Sequence, residues 1–147
     1  MSADIRIAKK DAGRMGLAEI GLGVMPGMGG TQRLHRLVGK AKALELCATG
    51  RQIAFEEALE MGLIHYIYEK DNFMEQVLEY TRQFVPPRKA SLAVGKIKRA
   101  IHSGIEESLA EGLALEREVL YQTFASEDGN EGVQAFLQKK TPQFKGR

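Results

Sequence analysis

Residues 16–34 read Gly-Leu-Ala-Glu-Ile-Gly-Leu-Gly-Val-Met-Pro-Gly-Met-Gly-Gly-Thr-Gln-Arg-Leu, and this stretch is the most distinctive part of the chain. Between Gly13 and Gly30 there are seven glycines, together with Pro26. Such a density predicts irregular backbone that passes close to neighbouring atoms, instead of a helix or a strand. Because loops of this kind often carry binding and catalytic groups, we look for functional residues here first.

Glu19 is the one carboxylate in the largely apolar part of this stretch, residues 15–26. A carboxyl group held among apolar neighbours favours its protonated form, which suits it to proton transfer near neutral pH. An exposed loop position, or the first turn of a helix, explains a single glutamate more simply. Spacing alone therefore leaves Glu19 as a candidate acid.

Glycine-rich loops also bind phosphates, but the known patterns fail here. A dinucleotide fingerprint that starts at Gly21 needs its third glycine where Pro26 stands, and neither Gly39-Lys40 nor Gly95-Lys96 completes a Walker loop. We therefore expect no nucleotide-binding loop of these two types.

The composition fits one globular domain or two small ones: 147 residues, 44% apolar and 27% charged, with a net charge of +2. Cys47 is the only cysteine, which excludes an internal disulfide framework, and three scattered histidines give no metal-ligand spacing. We expect Cys47 to be a small core residue. No secretory signal or membrane-spanning run is evident, so we expect a cytoplasmic protein that does not enter a membrane.

Hydrophobic periodicity predicts a short strand around Ile5 and Ile7, with few later strands to pair with, and a nearly all-helical chain after Gly30. A second short strand is predicted over residues 63–68. Predicted helices begin at a Thr31 cap and run to Gly50 with a break at Gly39, then cover residues 54–61, 71–84, 90–102 and 106–125, and a last helix follows a turn at 126–129. The Pro86-Pro87 pair is the predicted boundary between two parts, residues 1–86 and 87–147.

Residues 16–34 resemble the signature G-x-P-E-I-x-L-G-x-x-P-G-x-G-G-T-Q-R-L of the enoyl-CoA hydratase/isomerase (crotonase) family. The resemblance continues through residues 38–41, 49–51, 58–63 and 124–145, and it covers about the C-terminal half of the family pattern. It implies a mainly α protein with a short β/loop N-terminal part, the C-terminal portion of the crotonase α/β fold. Residues 1–86 then correspond to a remnant of the crotonase core, and residues 87–147 to a helical oligomerisation region.

The resemblance also implies roles for individual residues. Glu19 matches the second of two family glutamates that act, with a water, on the C2–C3 bond of an acyl-CoA, and Gly27 matches a glycine whose backbone N–H helps to hold that water. Ala18 stands where the family commonly has proline. Phe136 and Lys139 match positions that contact the adenine and phosphates of coenzyme A bound by a neighbouring subunit. Coenzyme A enters as part of the thioester substrate, so no separate cofactor and no metal are implied.

The first family glutamate, both donors of the oxyanion hole and most of the acyl-CoA pocket correspond to positions before residue 1. We therefore expect a protein that acts on or binds acyl-CoA thioesters but is weak or inactive alone. The alternative is a non-enzymatic trimerisation module, or half of a split enzyme that is completed by a chain supplying the N-terminal half. The family forms trimers and hexamers, so a homo-oligomer is expected.

Nucleic acid is not an expected partner. The basic residues near Pro87 have no interleaved aromatic side chains for base stacking, so they are interpreted as a solvated helix face. These residues are Arg88, Lys89, Lys96, Lys98 and Arg99.

Overall fold

A computed structural model describes residues 1–147, and its contacts divide the chain into two compact units, Met1–Val77 and Leu78–Arg147. This division falls within the helix over residues 73–82, nine residues before the Pro86-Pro87 boundary that the sequence predicted. The elements in chain order are β1 (Ile7–Lys9), β2 (Arg14–Met15), α1 (Gly30–Val38), α2 (Lys40–Thr49), β3 (Ile53–Ala54), α3 (Phe55–Glu60), β4 (Tyr66–Tyr68), α4 (Phe73–Arg82), α5 (Ser91–Gly104), α6 (Leu109–Phe124) and α7 (Glu127–Leu137).

The first unit contains two small sheets. β1 pairs in parallel with β4, with Ile7 opposite Tyr66, and β2 pairs antiparallel with β3, with Met15 opposite Ile53. Few later strands were expected to be available to the first strand, and in the structure it pairs with one, β4. Apolar alternation identified the first strand, and the second was predicted over residues 63–68. Their parallel pairing depends on a crossover between distant segments, which local sequence does not encode.

The core of the first unit lies between α1, α2, α3 and the short strands. Its buried side chains are Ala8, Leu34, Ala43, Leu46, Ile53, Ala58, Leu63 and Ile64. Partly buried side chains pack against this core, and Cys47 is one of them. Ala43 and Leu46 of α2 and Ile53 of β3 belong to this one core, which therefore anchors the elements on either side of Gly50 and Arg51.

The second unit is built on α5, α6 and α7. Val119 and Ala135 are its buried apolar side chains, and Asp128 is buried as well. The Asp128 carboxylate accepts hydrogen bonds from the backbone N–H groups of Lys145 and Gly146, each at 2.7 Å, so the C-terminal tail is attached to the start of α7. Each carboxylate oxygen thereby accepts a hydrogen bond, which is the usual condition for burying a charged side chain.

Several helix starts differ from the prediction. α1 begins at Gly30 with Gly29 as its N-cap, so Thr31 is already inside the helix. α4 begins at Phe73, after Asn72 in a left-handed conformation, instead of being capped by Asp71. The predicted turn at residues 126–129 is wrong, because the Ser126 side chain accepts from the Gly129 N–H and α7 already starts at Glu127. Ser, Asp and Thr favour turns and caps alike, so composition alone does not separate the two.

None of the helices combines the length and the apolar character that crossing a bilayer requires.

Candidate active site

Glu19 is the first residue of a short 3₁₀ helix, Glu19–Leu22, inside the glycine-rich loop. The turn is closed by hydrogen bonds from the Gly21 N–H to the Ala18 carbonyl and from the Gly23 N–H to the Ile20 carbonyl, both at 3.0 Å. Gly23 ends it with a φ of 74°, a left-handed conformation that glycine adopts without strain. The prediction of irregular backbone is confirmed here, apart from the two-residue strand β2 and this single turn.

One carboxylate oxygen of Glu19, Oε2, is buried and has no hydrogen-bond partner in the chain. Buried polar atoms are almost always paired, and leaving one unpaired costs about 1–3 kcal/mol, or more for a charged group. Such an atom is typical of a site that a water or a ligand completes. Glu19 does stand in the first turn of a short helix, and its buried, unpaired oxygen is a further property that this position alone does not explain.

The 3₁₀ turn that carries Glu19 packs on α2, the helix that contains Cys47. Burial raises the pKa of the Cys47 thiol above its ordinary value, and the negative charge of Glu19 raises it further. Both effects disfavour the thiolate, so Cys47 is a neutral group close enough to Glu19 to respond to its charge. Nothing in the sequence connects these two residues, and it is the packing of the 3₁₀ turn on α2 that brings them near each other.

Gly27 lies in the same loop, and its exposed backbone has open space on the side where a Cβ would stand. Its carbonyl accepts a hydrogen bond from the Gly30 N–H at 2.8 Å, while its own N–H donates to no backbone carbonyl. Gly27 therefore presents a free backbone donor at an accessible point of the loop. This is the chemistry expected of a group that holds a water or a substrate oxygen.

Close backbone contacts hold the Glu19 turn in place. A Cβ on Gly50 would lie 2.7 Å from Cγ2 of Ile20 and 3.5 Å from the Cα of Ala18, and Gly50 has a φ of 65°. Gly50 thus meets both requirements that only glycine satisfies, a left-handed conformation and a near-contact with the neighbouring chain. The turn that carries Glu19 rests directly on this residue.

Arg51, next in the chain, binds two carboxylates at once. Its guanidinium group donates to both oxygens of Glu45 in α2 and to both oxygens of Glu57 in α3. Sequence reasoning assigned Arg51 no role beyond its place in a matching segment. The signal that could have found it is a glutamate six residues before and another six residues after the arginine.

In the second unit, Phe136 and Lys139 lie together at the C-terminal end of α7. Both are exposed, and 82% of Phe136 is accessible, a large value for an aromatic side chain. Lys139 has a φ of 54°, and its N–H donates to the Phe136 carbonyl at 3.1 Å. The C-terminal end of α7 therefore exposes an aromatic ring and an ammonium group to solvent.

The basic residues near Pro87 engage their own chain in part. Arg88 pairs with Glu79 at 2.7 Å, Arg99 pairs with Glu118 at 3.4 Å, and Lys96 donates to Gln122.

No group of three or more His, Cys, Asp or Glu residues is placed so that it could hold a metal ion.

A glycine-rich loop whose glutamate has one buried, unpaired oxygen, followed by a second, helical unit, belongs here to a chain with the crotonase fold. The sequence matches the enoyl-CoA hydratase/isomerase family over residues 1–147, and the chain belongs to that family. It is 42% identical to the 2,3-dehydroadipyl-CoA hydratase of Escherichia coli over 144 residues, which cover 98% of this chain and 55% of that protein.

Solved structures agree with this assignment. The enoyl-CoA hydratase of Geobacillus kaustophilus matches with a TM-score of 0.94 and 41% identity, covering 99% of this chain and 54% of that one. The enoyl-CoA hydratase of Bacillus anthracis matches with a TM-score of 0.89 and 39% identity, covering 99% and 55%. The chain therefore spans about half the length of the relatives it matches.

Proposed function

We propose that this chain binds acyl-CoA thioesters and supplies Glu19 as the acid of a hydratase or isomerase site. The observation that carries the proposal is the buried Oε2 of Glu19, which has no partner in the chain. Family membership and the names of the relatives, which include several CoA-thioester hydratases, support the substrate class.

In hydration, water adds across the C2=C3 bond of an enoyl thioester: hydroxide bonds to C3, and a proton is delivered to C2. Glu19 in its acid form is the proposed proton donor, and a second base takes the proton from the attacking water. The free N–H of Gly27 is the proposed donor that orients this water. An isomerase would use the same carboxyl group to move a proton between two carbons.

Phe136 and Lys139 are the proposed contacts for the coenzyme A part of the substrate. An exposed aromatic ring can stack on adenine, and an exposed ammonium group can pair with phosphate. Coenzyme A is here a component of the substrate, so the proposal includes no separate cofactor. The family resemblance places this coenzyme A in the site of a neighbouring subunit.

Residues 1–147 alone are proposed to be weakly active or inactive. The resemblance assigns the first glutamate and both oxyanion-hole donors to positions that these residues do not include. Each missing oxyanion donor forfeits about 2.7–4 kcal/mol of transition-state stabilisation. Binding of the thioester is therefore expected to survive where turnover does not.

The test is a calorimetric titration of the 147-residue chain with crotonyl-CoA and with coenzyme A, together with an assay of crotonyl-CoA hydration. We expect binding that Phe136→Ala and Lys139→Ala weaken, with Gln134→Ala on α7 as the matched control. Absence of binding at millimolar ligand contradicts the proposal. Turnover that Glu19→Gln abolishes would overturn the expectation of inactivity and would establish the site directly.

A second candidate function is assembly without catalysis, and a specific observation favours it. Large apolar side chains remain exposed along α5, α6 and α7, more than monomeric proteins usually leave uncovered. These include Ile97, Ile101, Leu109, Leu113, Leu120, Tyr121, Phe124 and Leu137. In this role the chain forms a trimer or hexamer, or completes a chain that supplies the N-terminal half.

Light scattering on a size-exclusion column separates the two roles. An oligomer that Ile101→Lys dissociates, combined with no thioester binding, would favour assembly alone, and Glu60→Lys on the first unit is the control. A cytoplasmic location and a role in fatty acid metabolism complete the proposal and follow from the family resemblance.

A further inference from the structure

The guanidinium group of Arg51 forms a double fork that joins two helices. Its Nε and Nη2 donate to the oxygens of Glu45 at 2.5 and 3.2 Å, and its Nη1 and Nη2 donate to the oxygens of Glu57 at 3.0 and 2.7 Å. Glu45 belongs to α2 and Glu57 to α3, so Arg51 fixes the segment between these helices at both ends. We call this arrangement of Glu45, Arg51 and Glu57 the arginine clamp.

The clamped segment is the surface on which the Glu19 turn rests. Gly50 lies against Ile20 and Ala18, and the carbonyl of Arg51 lies 3.0 Å from where a Cβ on Gly16 would stand. Arg14 donates to the carbonyl of Gln52 at 2.9 Å, which attaches the strand leading to the turn. The residues on either side of Glu19 are therefore held by the segment that Arg51 fixes.

The clamp keeps its charges over a wide pH range. Hydrogen bonding to Arg51, with a further contribution from Lys42, lowers the pKa of Glu45 to about 2, and the Arg51 hydrogen bonds lower the pKa of Glu57 as well. The same contacts raise the pKa of the Arg51 guanidinium group still further above neutrality. The clamp is consequently intact wherever the site would work.

We propose that Arg51 is a positioning residue for Glu19: by joining Glu45 to Glu57 it holds the Gly50–Arg51 segment as a rigid support for the turn that carries the acid. This inference rests on the proposed function, in which Glu19 is the proton donor. The planar guanidinium is essential, because a lysine keeps the charge but forms no fork and cannot bind two carboxylates in this way.

Cys47 is a built-in probe of where the Glu19 carboxylate lies, since it is the only cysteine and its thiol responds to that charge. The experiment measures the alkylation rate of Cys47 by iodoacetamide against pH in four chains: unchanged, Glu19→Gln, Arg51→Lys and the double variant. Glu19→Gln is expected to lower the thiol pKa, because a negative charge that raises it is removed. Arg51→Lys is expected to produce part of this shift.

The decisive comparison is the double variant. If Arg51 acts through the position of Glu19, Arg51→Lys changes nothing further once Glu19 is Gln. An equal shift in both backgrounds would mean that α2 has loosened generally, which overturns the proposal, as does an Arg51→Lys profile that does not move. An unchanged profile in Glu19→Gln contradicts the placement on which the inference depends.

Arg82→Lys is the matched control, because this exposed arginine of the second unit donates to a single oxygen of Glu79. It should leave the Cys47 profile unchanged. The whole measurement needs no substrate, so its outcome is independent of the crotonyl-CoA titration. Failure of the clamp and failure of the proposed function are thereby told apart.

Discussion

One oxygen of the Glu19 carboxyl group is buried and also lacks a hydrogen-bond partner. This combination affects stability and chemistry in opposite directions. An unpaired buried oxygen destabilises the fold, yet it is available to a substrate or to a water. Residues of functional sites commonly show this conflict. The sequence revealed only that the glutamate has apolar neighbours, because burial of one oxygen depends on the side chains that the fold brings around it.

Replacing Glu19 by a side chain of similar length without polar atoms should therefore stabilise the chain. We expect Glu19→Met to raise the free energy of unfolding by about 1 kcal/mol or more, measured by urea denaturation. The control Glu60→Met, at an exposed position of α3, should change it by less than about 0.5 kcal/mol. A loss of stability in Glu19→Met would show that the carboxylate has a structural partner.

Gly50 provides a second test at the scale of one residue. In Gly50→Ala the alanine would have to adopt a left-handed backbone conformation, and its Cβ would lie 2.7 Å from Cγ2 of Ile20. We expect a loss of about 1–2 kcal/mol from the conformation alone, with the contact adding to it, measured by urea denaturation. Gly95→Ala is the matched control: Gly95 lies inside α5 with nothing near its Cβ position, so alanine there should stabilise the helix by about 0.5–1 kcal/mol.

At the scale of elements, the apolar spacing predicted the strands at both ends of the first unit and all the later helices. The helix ends were less predictable. Thr31 and Asp71 have suitable side chains for caps, yet Gly29 and Asn72 precede the helices, since loop closure decides where the first turn begins. Gly50, by contrast, ends α2 where the sequence predicted, and it does so in a left-handed conformation.

The start of α6 shows a complete capping box. The Ser108 hydroxyl accepts from the Glu111 N–H, and the Glu111 carboxylate accepts from the Ser108 N–H at 3.1 Å. We expect Ser108→Ala to lower the free energy of unfolding by about 1 kcal/mol, measured by thermal or urea denaturation. Ser103→Ala, within α5, lacks such a role and should be neutral or slightly stabilising. Equal losses in both variants would argue against the cap as the cause.

At the scale of the whole molecule, carboxylates with lowered pKa values occur in both units: Glu45, Glu57, Glu79 and Glu111. At pH values between the lowered pKa of the folded state and the ordinary value near 4.5 of the unfolded state, the unfolded chain binds more protons than the folded chain. The stabilisation from these groups is therefore complete above about pH 4.5. It is lost progressively as the pH falls, for Glu45 down to about 2.

The corresponding measurement is the melting temperature of the chain and of Glu45→Gln between neutral pH and acid. The two chains should differ at neutral pH and converge as the pH falls, because protonation removes the same interaction that the substitution removes. Glu60→Gln, at an exposed site of α3, should follow the unchanged chain throughout. A constant difference between the unchanged chain and Glu45→Gln at all pH values would contradict the linkage.

The order of the residues by itself determined the family, the glycine-rich loop, the helical character of the remainder and the identity of the candidate acid, because these depend on local spacing and on one long motif. Only the tertiary structure decided that β1 pairs with β4, that Oε2 of Glu19 is buried without a partner, that Cys47 lies beside it and that Arg51 joins Glu45 to Glu57. Each of these depends on atoms distant in the chain or on the packing of separate elements, and packing, unlike periodicity, is a property of the folded molecule.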